Sequence, residues 1–314
     1  MARETNLQQW RFALAIARNG LSVTQAAQVL KVSQPAGFAL FVREGRSLTR
    51  VTPEGERLLA AAQRAVGEFD SLSALAHDVA GDESGTLSLA TTHTQARYVL
   101  PPVITAFRSR HPKVDLNLHQ GTSEQIAEMV AADRVQLAIA TGSEGLFSGM
   151  VLLPVYRWHR QVVVPKKHPL TRVARLSLEQ LAAFPLVTYV FSFSGQSSLQ
   201  QTFARQGLTP KIALTARDSD VIKTYVRLGL GAGIVASVAV DPREDQDLVM
   251  LDASHLFPIH TTWVGFRRGT RLREYAYDFL AAFGPHLTRR LIDRASADPE
   301  RIAELFRRIA LPVR

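Results

Sequence analysis

From Gly85 onward the chain alternates between two hydrophobic periods, and this limits the folds open to it more than any other feature. "GTLSLATT" (85–92) reads as a strand, 101–110 as mainly helix, and "VDLNLHQG" (114–121) as a strand. "SEQIAEMVAAD" (123–133) then reads as a helix and "VQLAIAT" (135–141) as a strand. Parallel strands need a crossover, so repeated β-α-β units predict an α/β fold, with helices on both faces of a mostly parallel sheet. A second set begins near "QVVVP" (161–165) and runs through "LEQLAAFPLVTYV", a helix near 197–206, "KIALTAR", the helix "SDVIKTYVRLG" and "AGIVAS". A strand near 260–266 and a helix near 271–283 then return to the first set. The expected layout is lobe one at 85–156 plus 264–290, lobe two at 157–263, and 291–314 as a C-terminal tail with a short helix. Two lobes joined by crossing strands leave a cleft, a common ligand site.

Ahead of the lobes, "TPEG" (52–55) signals a long helix, with Thr52 as N-cap and Pro53 in the first turn. Leu58, Ala62, Ala65, Phe69, Leu72, Ala76 and Val79 advance by alternating steps of four and three, the spacing of a coiled-coil seam. Residues 53–82 therefore read as a dimerising linker; the alternative is a helix lying on its own domain. Residues 1–52 form a small N-terminal unit. Its first helix carries Leu7, Trp10, Leu14 and Ala17 on one face and ends at Asn19-Gly20. Ser22 and Gln25 make a capping-box pattern for a second, short helix. Ser33-Gln34-Pro35 signals a third start. The two strand-prone runs of "FALFVREGRSLTRVT" (38–52) flank Glu44-Gly45 as a hairpin. This order is that of a winged helix-turn-helix.

The charge balance suits a polyanionic partner or a scattered basic surface: 37 Lys and Arg against 28 Asp and Glu, net +9. Cysteine is absent, which excludes disulfides, thiolate metal ligands and a Cys nucleophile. The first twenty residues lack a small-residue cleavage site, and no run of about twenty apolar residues occurs, so a soluble, cytoplasmic chain is expected. No catalytic constellation stands out. His93 has no Ser or Asp at triad spacing, and the nine histidines show no metal-binding pattern. "GLGAGI" (229–234) precedes a strand rather than opening a helix, so it reads as a turn, not a dinucleotide fingerprint. Neither an enzyme nor a bound metal or cofactor is expected.

Where the first strand of lobe one turns into a helix, Thr91, Thr92, Thr94 and Gln95 gather hydroxyls and an amide at free backbone N–H groups. That combination makes an anion site needing no Lys or Arg, at the carboxyl end of a strand, where open α/β sheets hold ligands. The alternative is that these threonines only cap the helix.

An N-terminal helix-turn-helix with wing, a linker helix opening at "TPEG" and a two-lobed, periplasmic-binding-protein-like effector domain resemble the LysR-type transcriptional regulators. "TTHTQARYVLPPVI" (91–104), "LHQGTSEQIAEMV" (118–130), "PLVTYVFSFSGQSSL" (185–199), "DVIKTYVRLGLGAGI" (220–234) and "GFRRGTRLREYAYDFLAAFGPHLTR" (265–289) resemble the CysB-like branch of that family, over nearly the whole chain. The resemblance implies a homo-oligomer, dimer or tetramer, acting on promoter DNA of sulfur-assimilation and cysteine-biosynthesis genes. The implied effector is N-acetylserine, O-acetylserine or a sulfate-like anion. It implies effector contacts at Thr92, Thr94 and Gln95. Thr141 ends a lobe-one strand and Ser194 precedes a lobe-two helix, so both are expected to face them; Gln196 adds a further donor. The family more often has Thr where Ser194 stands. Trp158 sits at the lobe crossing, as a packed aromatic or as a residue coupling effector to response.

One junction departs from the family. After Ser33, Gln34 and Pro35 such proteins carry a recognition helix of about twelve residues, near the average helix length. Here "SQPA" runs straight into "GFALFVREGRSLT". The simplest account is a loss of about a dozen residues between Ala36 and Gly37, which removes the major-groove contacts that such a helix supplies. In the alternative, 36–42 repacks to fill the gap. Arg43, Arg46 and Arg50 would still meet phosphates, which position a protein without specifying sequence. Three classes stay open: a regulator with a damaged DNA reader, an effector-binding module acting on intact regulator subunits, and a transport-type solute-binding protein of the same architecture.

Overall fold

The computed structural model describes residues 6–18, 20–22, 40–44, 47–79, 84–131, 133–142, 144–193 and 197–314. Helix α1 (Leu7–Arg18) is followed by the antiparallel hairpin β1 (Phe41–Glu44) and β2 (Ser47–Val51), then by α2 (Pro53–Val79). The Thr52 hydroxyl accepts the Gly55 N–H at 2.9 Å, as an N-cap should. Gly55 is needed there, because a Cβ would collide with the Leu40 carbonyl oxygen. Helix α1 is amphipathic on two sides. Ala13 and Leu14 pack on Leu59 and Ala62 of α2, while Phe12 and Ile16 pack toward Phe41 and Leu48 of the hairpin. The second helix expected after Ser22 lies outside the described residues, as do Ser33, Gln34, Pro35 and Arg46.

The expected seam along α2 is corrected at one position. Ala62 is buried against α1, while Leu58, Phe69 and Leu72 are exposed, Leu72 at 61%. Ala65 and Ala76 are exposed too; the Val79 side chain is outside the described residues. At 3.6 residues per turn, Leu59, Ala62 and Val66 share the face that α1 covers, and the remaining seam residues lie beside it. The Arg11 guanidinium sits 5.8 Å from the Phe69 ring centre.

Lobe one contains β3 (Gly85–Thr91), α3 (Leu100–Arg110), β4 (Val114–Gln120), α4 (Ser123–Ala131), β5 (Leu137–Thr141) and β6 (Met150–Trp158). Lobe two contains β7 (Arg160–Pro165), α5 (Leu178–Ala182), β8 (Leu186–Tyr189), α6 (Ser198–Ala204), β9 (Ile212–Ala216), α7 (Ser219–Arg227), β10 (Ala232–Ala236) and β11 (Leu248–Leu251). Strand β12 (His260–Arg267) then returns to lobe one, followed by α8 (Glu274–Phe283). The first sheet has the order β4-β3-β5-β12-β6 and the second β11-β7-β10-β8-β9. Each joins a parallel trio to antiparallel strands: β12 runs against β5 and β6, and β7 against β10 and β11. The crossings fall at His159 and before His260. Residues 157, 158 and 260–263, expected in lobe two, thus belong to the first sheet, where His260 pairs with Trp158.

"GLGAGI" is a turn entering β10, with Gly229 at φ +81° and Gly231 pressed against the Pro185 carbonyl. The stretch expected as a tail is not one. Helices α9 (Arg289–Ala297) and α10 (Ile302–Phe306) dock on lobe one, burying Ile292, Ala295 and Phe306, and Val313 bridges Arg157. Ile292 and Ala295, one turn apart, give that polar helix one apolar edge. Among the described residues, no helix is long and apolar enough to cross a membrane.

Candidate effector site at the lobe crossing

Strand β3 ends at Thr91, whose buried hydroxyl donates to the Ile139 carbonyl at 3.0 Å. Thr91 therefore joins strands and offers the cleft nothing. The chain then enters a helix whose segment Gln95–Val99 is a π-helical turn, closed by the Leu100 N–H on the Gln95 carbonyl. Such wide turns recur at functional sites. Thr92 and Thr94 are partly exposed at this helix start. The Thr92 carbonyl accepts the Ala96 N–H at 3.1 Å, and Thr94 reaches the Tyr189 hydroxyl of lobe two.

Gln95 is buried, at 2% exposure. Its amide nitrogen donates to the Thr262 hydroxyl at 3.5 Å, and its oxygen accepts the Tyr156 O–H. The Thr262 hydroxyl lies 2.9 Å from that of Thr141, which accepts the Trp158 indole N–H at 3.3 Å. Gln95, Thr141 and Trp158 are thus linked side chains. Ser194 and Gln196 lie outside the described residues.

Near this cluster lie Tyr189 and Arg160, both buried in lobe two, and the partly buried His260 on β12, none of which spacing reveals. The Tyr189 hydroxyl lies 2.6 Å from the Ser219 hydroxyl and accepts the Ala236 N–H at 3.1 Å; burial raises its pKa. Arg160, only 3% exposed, donates to the hydroxyls of Ser192 at 3.3 Å and Ser198 at 3.4 Å. Its Nε has no partner among the described residues, and burial pulls its pKa down to about 10. His260 stacks on Trp158, and its Nε2 is also buried without a partner among the described residues. Burial, with the Arg160 charge added, lowers its pKa to about 4, so the ring is neutral at pH 7. The hydroxyl cluster was expected to need no Lys or Arg, and buried Arg160 was not foreseen. It was missed because an Arg before an apolar run ordinarily faces water. Thr262 and Tyr156 were hidden in strands whose alternation suits a plain core.

Beside this cluster a polar clasp ties the lobes. The Arg97 guanidinium meets the Glu244 carboxylate at 2.8 Å, and the Tyr98 hydroxyl donates to Asp220 at 2.5 Å. Burial and the Asp220 carboxylate together raise the Tyr98 pKa. Lys223, buried, pairs with buried Asp245 at 2.8 Å and lies 4.9 Å from the Tyr98 ring centre. His93, Asp218 and Asp220 bring one potential metal-ligand atom each within 4.8 Å of one another. The carboxylates are already engaged: Asp218 caps α7 by accepting the Val221 N–H, and Asp220 accepts the Tyr98 O–H.

On the hairpin, Arg50 is exposed and pairs in register with Val42, while Arg43 stands opposite Leu48. The Arg43 side chain is outside the described residues.

Residues 80–288 match the LysR substrate binding domain family. The chain is 41% identical to the HTH-type transcriptional regulator CysB of Haemophilus influenzae, over 97% of this chain and 98% of that protein. It is 42% identical to the HTH-type transcriptional regulator SsuR of Burkholderia cenocepacia, over 90% of this chain and 96% of that one. Among solved structures, the cofactor-binding domain of the Cbl transcriptional regulator superposes with a TM-score of 0.65 at 44% identity, covering 69% of this chain and 95% of that domain. Full-length OxyR from Pseudomonas aeruginosa shares the fold, at a TM-score of 0.68 and 18% identity over 90% of this chain and 95% of that one. With the two-lobed architecture and linker helix described above, these matches place the chain in the LysR family of transcriptional regulators.

Proposed function

We propose that this protein is a CysB-type regulator of sulfur assimilation and cysteine biosynthesis, acting in the cytoplasm on promoter DNA. Its effector is a small anion, N-acetylserine, O-acetylserine or a sulfate-like ion, held in the cleft by Thr92, Thr94 and Thr141 with Ser194 and Gln196. The observation that carries this is the gathering of hydroxyls at a helix start, between strand ends, opposite a buried cation. Gln95 acts through its bonds to Tyr156 and Thr262, and Trp158 relays occupancy through Thr141. The exposed residues of α2 pair two copies of the chain. No catalytic or metal role is assigned.

A second reading concerns DNA. The direct run of "SQPA" into "GFALFVREGRSLT" supports the loss of recognition-helix residues between Ala36 and Gly37. In this reading Arg43, Arg46 and Arg50 hold phosphates without reading bases, and the chain acts by pairing with intact subunits. Anisotropy with a sulfur-gene promoter at moderate salt, with nonspecific competitor, separates the two. Nanomolar, sequence-selective binding supports the complete regulator; weak, salt-sensitive binding that competitor abolishes supports the pairing module. Calorimetry with the four anions N-acetylserine, O-acetylserine, sulfate and thiosulfate tests the site; absence of heat from all of them would refute it.

A further inference from the structure

Among the described residues, Arg160 has no carboxylate partner although it is buried. Among the described residues its contacts are two serine hydroxyls, at 3.3 and 3.4 Å, and its Nε has none. Burying an uncompensated charge is strongly unfavourable, and buried charges in proteins are ordinarily paired. Lys223, the other buried cation among the described residues, obeys that rule and meets Asp245 at 2.8 Å. The neighbouring His260 leaves its Nε2 buried and unpartnered as well.

These groups are not scattered. Thr94 reaches Tyr189, and Tyr189 and His260 both lie within electrostatic range of Arg160. His260 stacks on Trp158, Trp158 bonds Thr141, Thr141 meets Thr262, and Thr262 meets Gln95, the residue after Thr94. The circuit starts in lobe one, passes through lobe two and returns, enclosing the lobe crossing. Both orphaned nitrogens lie on it. Ser192 and Ser198, which hold the guanidinium, also bracket residues 194–196 in the chain.

We infer that Arg160 supplies the counter-charge for the effector and makes the cleft selective for ligands with a full negative charge, with His260 as an auxiliary donor. This rests on the small-anion reading of the cleft and adds to it the residue that decides charge selectivity. Because Arg160 opens β7 while Thr92 and Thr94 follow β3, one anion bound to all three ties the lobes together. Neutral analogues of the same shape would leave the guanidinium unpaired and bind weakly.

The test compares wild type with Arg160→Met, Arg160→Lys and Thr94→Val in thermal melts and calorimetry of the full chain. Sulfate, N-acetylserine and the neutral N-acetylserinamide are the probes. Expected are anion-dependent melting shifts in wild type, no shift with the amide, and at least a thirtyfold loss of anion affinity in Arg160→Met. Without ligand, Arg160→Met should melt at or above wild type, because an unpaired charge is gone; a purely structural arginine would give the opposite. Arg160→Lys should keep part of the anion affinity. Anion affinity within threefold of wild type in Arg160→Met, or a ligand-free melt well below wild type, overturns the inference while leaving the threonine site standing. Loss in Arg160→Met with no effect of Thr94→Val keeps the inference and overturns the threonine site. No anion response in wild type removes both.

Discussion

Trp158 lies nearly flat against His260, ring centres 4.6 Å apart and planes at 27°. The two residues pair across β6 and β12 where the chain passes between lobes. The indole N–H of the same Trp158 ends on Thr141. One side chain therefore touches both the crossing and the hydroxyl cluster. Trp158→Phe keeps a ring on His260 but removes the bond to Thr141. It should lower stability by about 1 kcal/mol in urea melts. Trp158→Ala should cost about 3–5 kcal/mol, as truncation of a buried aromatic does.

Acid should weaken the protein through His260. Its folded pKa is near 4 against an ordinary 6.5, so between those values the unfolded chain binds the extra proton. Stability is full above pH 6.5 and falls as the pH drops toward 4. The lost contribution is on the order of 2–3 kcal/mol. Urea midpoints measured at pH 7 and pH 4.5 should lie closer together in His260→Gln than in wild type; equal spacing would contradict the assignment.

The Lys223–Asp245 pair is the most costly to break. Burial pushes the Asp245 carboxyl up, but bonds from Lys223, the Asp241 backbone N–H and Arg227 outweigh it and hold the group ionised. Asp245→Asn leaves the buried Lys223 ammonium with only the more distant Asp220 carboxylate, 4.0 Å away. The expected loss is about 3–5 kcal/mol in denaturant unfolding. Lys223→Met combined with Asp245→Leu should recover much of it, since apolar replacements of buried pairs are often tolerated.

Two substitutions on α2 should separate its faces. Phe69→Glu, on the exposed side, should lower the mass seen by sedimentation with little change in melting. Ala62→Leu, beneath α1, should destabilise by about 1–3 kcal/mol through overpacking and leave the mass unchanged. The opposite pattern would place the pairing surface elsewhere.

The strand–helix order of both lobes could be read from periodicity, because strands such as "GTLSLATT" and helices such as "SDVIKTYVRLG" carry local patterns that tertiary contacts reinforce. Ala62 could not be placed, since its spacing serves two adjacent helix faces and only the docking of α1 chooses between them. Residues 291–314 looked like a tail because their charged surface hides a narrow apolar edge. Thr92, Thr94 and Thr141 were visible as hydroxyls at strand ends. Arg160 and His260 were not, because their burial is set by where two distant crossings meet, which no local window contains.

The two crossings lie side by side: Trp158 precedes the first, His260 follows the second, and they face each other in register. The hundred-odd residues between them are in effect a loop whose ends meet. Such a segment is a natural cassette. Exchanging 159–259 between relatives would graft lobe two, Arg160 included, onto an unchanged lobe one and an unchanged N-terminal unit. Ligand preference could then diversify in this fold by replacement of a single block, without disturbing the core that the other lobe builds around β3, β5 and α8.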